Sequence, residues 1–138
     1  MDALHISESN IINQTFHNPL GKMNGQDICI ISLKEVSGNG LCCYRQVNDS
    51  DVLVLLEEQD YNEILDETLQ RIRRDFNHIS GVFSINCVFR YLLFSQEHHM
   101  EDYLKTMSTL GDHAGLIGFG EHYNQQFVNQ TMTCVVFE

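Results

Sequence analysis

Over residues 60–76, apolar side chains recur at helical spacing along one side: Tyr61, Ile64, Leu65, Leu69, Ile72 and Phe76. A helix with a single apolar stripe persists only if another element covers it, so this segment obliges the chain to build a packed partner. Asp60 is placed to cap the first turn, and Glu63, three residues on, completes a capping-box pattern. Acidic residues lead and Arg71, Arg73 and Arg74 close, matching the helix dipole, while Glu67 and Arg71 add an i,i+4 pair. The arginines read as a solvated helix end rather than a binding patch.

The segments on either side supply that partner. Upstream lie an extended stretch over 11–16, a turn over 18–21 and a second turn at Asn24-Gly25. An apolar run follows over 27–33, then the hairpin signal Ser37-Gly38-Asn39-Gly40, a return strand over 41–47 and a strand over 52–56. Residues 1–10 read as a tail or a truncated element. Downstream, Asn77-His78 and Ser80-Gly81 break the helix and 82–85 is a buried-strand run. A second amphipathic helix starts after Ser95, with Met100, Tyr103, Leu104 and Met107 on one face, and stops at Gly111. Two strands over 114–119 and 128–137 complete the chain, read together as an edge hairpin around the polar loop 121–126. This order predicts an α+β fold: a single domain with a mainly antiparallel sheet packed on two main helices, near 60–76 and 96–110.

Charge then excludes several partners. Eight basic against nineteen acidic residues give a formal net charge of −11, a field that repels nucleic acid and anionic membranes. No apolar run approaches the roughly 20 residues of a membrane span, and the first residues lack the basic start of a signal peptide, so a cytoplasmic location with no membrane insertion is expected. The five cysteines, 29, 42, 43, 87 and 134, are odd in number and sit in or beside strand patterns, which fits free buried thiols. Adjacent Cys42 and Cys43 point to opposite faces of a strand and His98-His99 has no i,i+4 partner, so neither a metal site nor a cofactor is expected.

Three stretches carry a resemblance. Asn18-Pro19-Leu20-Gly21 introduces the strand-rich half. The 82–87 strand ends in Cys87, with Arg90 three residues on. A glycine-rich strand closes in Gly118, Gly120 and Glu121, and the last strand bears Asn129-Gln130-Thr131. In this order they resemble the C-terminal part of the FIST (F-box and intracellular signal transduction) domain, over residue 11 to the end. The resemblance implies a non-enzymatic sensory domain that binds small ligands, amino acids or related metabolites among them, beside a signalling output domain in a larger protein. Phe89 stands where the family tends to have glycine, and the family's usual N-terminal region is missing, which implies a fragment or a shortened member.

The resemblance places ligand contacts at Cys87, Arg90, Gly118, Gly120, Glu121, Asn129 and Thr131. The physical basis is opposite charge: a guanidinium grips a ligand carboxylate and a carboxylate grips an ammonium. Asn129 and Thr131 add uncharged hydrogen bonds. Two other classes stand beside this one. A strand edge at the C-terminus could pair with another protein's strand. Cys87 could act as a nucleophile with His113 or His122 as base, although no protease or amidase motif surrounds it.

Overall fold

The computed structural model describes residues 4–123 and 126–138. The middle of the expected 121–126 loop and the first three residues of the expected tail lie outside the described residues. The chain gathers into two compact units, Met1–Glu58 and Gln59–Glu138.

The first unit is a strand assembly. β1 (Leu20–Asn24) lies between β2 (Asp27–Ile31) and β5 (Leu53–Leu55), antiparallel to both, while β3 (Leu33–Ser37) and β4 (Gly40–Cys43) form a separate hairpin. Gly21 is required by packing, because a Cβ there would sit 2.8 Å from Ile28 and 3.0 Å from Val54 and Leu56. Two sequence expectations change here. Residues 13–16 form a 3-10 turn instead of an extended stretch. The turn brings the buried Thr15 hydroxyl to accept the Leu33 backbone N–H at 2.9 Å, a tertiary bond that local propensity does not encode. The expected turn over 18–21 is half strand: Asn18 donates its amide to the Leu56 carbonyl at 3.0 Å and delivers the chain into β1.

The second unit holds the helices. α1 (Tyr61–Asp75) forms as its stripe demands: Asp60 accepts the backbone N–H groups of Asn62 and Glu63, and Leu65, Leu69 and Ile72 are buried. β6 (Gly81–Cys87) is the centre of a three-stranded sheet, antiparallel to β10 (Met132–Phe137) and parallel to β7 (Asp112–Gly118). Two helices make the crossover from β6 to β7: α2 (Val88–Gln96) and α3 (Met100–Ser108). The short strands β8 (Glu121–Tyr123) and β9 (Gln126–Val128) pair antiparallel.

The α+β class stands and antiparallel pairing dominates, but among the described residues it is shared by four sheets rather than one. The second helix is also divided. Ser95 does not cap it; its hydroxyl donates to the Tyr91 carbonyl inside α2. His98 takes φ 57, a left-handed conformation that no helix interior accommodates, so α2 ends before it and α3 begins after it. The run 88–94 is apolar on nearly every side, which hides a helical period. The last two expected strands do not pair with each other. They flank β6 from opposite sides, because Gln130 at φ 57 breaks the 128–137 run and sends its second half back along β6. No helix of the described chain is long and apolar enough to cross a membrane.

Candidate functional site

The site is set by the parallel pair. In register, Cys87 faces Gly118, so both strands reach their carboxyl ends together. α2 starts at the next residue after Cys87 and carries Arg90 in its first turn, while Gly120 turns the chain after β7 so that β8 opens on Glu121. The crevice at the carboxyl ends of parallel strands is the usual ligand position in α/β sheets. All seven residues singled out in the sequence collect at this end.

Glu121 is the deepest charge there, only 3% exposed. Its Oε2 accepts the Thr131 hydroxyl at 2.7 Å, whereas its buried Oε1 has no hydrogen-bond partner among the described residues. Gly118 leaves room beside that oxygen: a Cβ at position 118 would stand 3.8 Å from Oε1. Gly120 has φ +137, and a Cβ there would fall 2.2 Å from the Phe127 ring and 2.9 Å from the Asn129 Oδ1, so only glycine fits. Cys87 is 1% exposed, and its backbone N–H donates to the Thr131 carbonyl at 3.0 Å, tying the residue that precedes β10 to the start of α2.

Arg90 is held by residues that sequence reasoning missed. Its Nε donates to Asn86 Oδ1 at 3.2 Å, and its guanidinium lies 4.5 Å from the Phe94 ring centroid and 5.6 Å from that of Tyr103. Asn86 in turn donates to the Tyr103 hydroxyl at 2.8 Å, Tyr103 donates to Ser84 Oγ at 3.3 Å, and Ser84 Oγ lies 2.8 Å from His113 Nε2. Burial lowers the His113 pKa below 6.5, which favours the neutral imidazole. The signal was present in the sequence: Ser84 and Asn86 alternate with Val82 on the buried face of β6, where an ordinary core would be apolar throughout.

Burial raises the Glu121 pKa above its ordinary 4.5, against smaller opposing pulls from the Thr131 hydrogen bond and the Arg90 charge. The folded protein therefore holds this proton more tightly than the unfolded chain. Its stabilising effect is greatest below pH 4.5 and is lost as pH rises through the folded value. Replacing Glu121→Gln should remove that loss, so the melting temperature of the variant relative to the parent should climb from acid to neutral pH. A constant difference across the range would contradict it. His113 acts in the opposite sense, contributing above pH 6.5 and losing its effect on acidification, and the variant leaves that limb in place.

A family model described as the FIST C domain matches residues 2–124. The chain belongs to the FIST C domain family. The match starts and ends earlier than the resemblance drawn over 11–138; it includes Cys87, Arg90, Gly118, Gly120 and Glu121, and stops before Asn129 and Thr131. Membership points to a sensory domain of signal transduction. No curated protein and no solved structure gives a significant match.

Proposed function

We propose that this FIST C domain is a small-ligand sensor that recognises an amino acid or related metabolite by both of its charged ends, in the cytoplasm and beside a signalling output domain. The observation that carries the reading is the buried Oε1 of Glu121, which has no hydrogen-bond partner among the described residues and lies within the electrostatic reach of Arg90. Leaving a buried polar atom unpaired costs about 1–3 kcal/mol, more for a charged one, and a ligand ammonium would relieve it. A guanidinium has five donors, so Arg90 can hold a ligand carboxylate alongside Asn86. Its stacking on Phe94 fixes the guanidinium before any ligand arrives, which reduces the entropy lost on binding.

The role is binding without chemistry and requires neither metal nor cofactor. Burial of Cys87 supports this, because a nucleophile must be reached by its substrate. The test is a thermal-shift series with free amino acids on the parent chain and on Arg90→Ala. A native-state ligand raises stability by mass action, so at about 100 times Kd the parent should gain about 2.7 kcal/mol. Arg90→Ala should show no gain with the same ligands. Equal shifts in both proteins would rule out Arg90 as the carboxylate grip.

A further inference from the structure

We infer that the groove between α3 and β7 receives the side chain of the ligand and selects a large apolar one. This rests on the reading of Arg90 and Glu121 given above. The groove has a volume of about 480 Å³, within the range of small-molecule sites. Leu104 of α3 and Ile117 of β7 stand in its wall, each about half exposed. Ser84, Asn86 and Tyr103 form its floor.

Two contacts join the groove to the charged site. Asn86 lines the groove and also accepts the Arg90 Nε–H, and Tyr103 lines it while its ring lies 5.6 Å from the Arg90 guanidinium. On this proposal a carboxylate held by Arg90 enters the groove beside Asn86 and Tyr103, the two residues they share. From Ile117, which faces Asn86 in register, the groove follows β7 back to His113, about 13 Å at roughly 3.3 Å per residue. That length leaves ample room for any apolar amino-acid side chain.

The floor also disfavours charge. Its polar groups bond to one another in the sequence Asn86, Tyr103, Ser84, His113, so among the described residues no fixed charge lines it to meet a charged side chain. A charged side chain would lose hydration without a counter-ion, whereas an apolar one would cover Leu104 and Ile117.

The experiment is calorimetric titration of the full chain with glycine, alanine, leucine, methionine, phenylalanine and glutamate. Leucine, methionine or phenylalanine should bind at least about tenfold more tightly than glycine, and glutamate no more tightly than glycine. Leu104→Trp, which fills the groove from its exposed rim, should reduce the preference to less than about threefold. The ligand series on the parent chain is decisive even if that variant fails to fold. Equal affinity for glycine and the large apolar amino acids overturns the groove assignment while leaving the two-charge reading intact. A folded Leu104→Trp that keeps the full preference overturns it as well. An absence of binding by every amino acid overturns both.

Discussion

Phe94→Ala is expected to lower the unfolding free energy by about 3–5 kcal/mol, the largest single effect among the changes considered for this protein. Phe94 is 1% exposed and sits where the three helices meet. Its ring centroid is 4.9 Å from that of Tyr61 on α1, 5.0 Å from that of His99 and 5.5 Å from that of Tyr103 on α3. Edge-to-face and tilted contacts of this kind add about 0.5–1.5 kcal/mol per pair beyond burial. Removing the ring opens a cavity bounded by stiff aromatic neighbours that cannot close over it. Arg90 would also lose the ring it packs on, so ligand affinity should fall with stability. Urea denaturation measures the first effect. A loss below about 1 kcal/mol would mean that this cluster is not the core of the second unit.

Asn86→Leu is expected to cost about 2–4 kcal/mol although leucine is nearly isosteric and more hydrophobic. Asn86 accepts from Arg90 and donates to Tyr103, so the substitution takes one partner from each of two groups packed inside the fold. Asn86→Asp separates the two roles: it keeps the acceptor for Arg90 and loses the amide donated to Tyr103. Chemical denaturation of both variants should therefore show a loss in each, with Asn86→Asp retaining more of the Arg90-dependent ligand binding. If Asn86→Leu is neutral or stabilising, the polar chain contributes nothing to the fold, and Arg90 is positioned by its aromatic neighbours alone.

Local pattern revealed some of this architecture and concealed the rest for identifiable reasons. α1 was legible because stripe, cap and charge gradient all agree over one segment. β6 was legible from its apolar run. α2 was not, because residues 88–94 are apolar on too many sides to display a helical period, and only the left-handed His98 marks the boundary with α3. The pairing of the last strands was equally hidden, since register along β6 is a tertiary choice that the residues of β7 and β10 do not carry individually. For the site, glycine spacing and the acid after it drew attention to Gly118, Gly120 and Glu121, where the backbone does turn sharply. Ser84 and Asn86, which orient Arg90, stand out from the apolar run of β6 only by their polarity. A polar residue recurring on a buried face is itself the clue, since burial without partners is costly and partners must therefore exist.

Whether Arg90 and Glu121 hold opposite ends of one ligand is tested by a calorimetric comparison of matched ligands. An amino acid that binds the parent chain is set against its analogue lacking the ammonium group and its analogue lacking the carboxylate, on the parent, Arg90→Ala and Glu121→Gln. Crossed losses are expected. Glu121→Gln should weaken the intact amino acid by about tenfold to a hundredfold, or roughly 1.4–2.7 kcal/mol, and leave the analogue without ammonium nearly unchanged. Arg90→Ala should do the reverse, sparing only the analogue without carboxylate. If each variant weakens all three ligands equally, the two residues do not grip separate ends of a bound molecule, and the claim is contradicted.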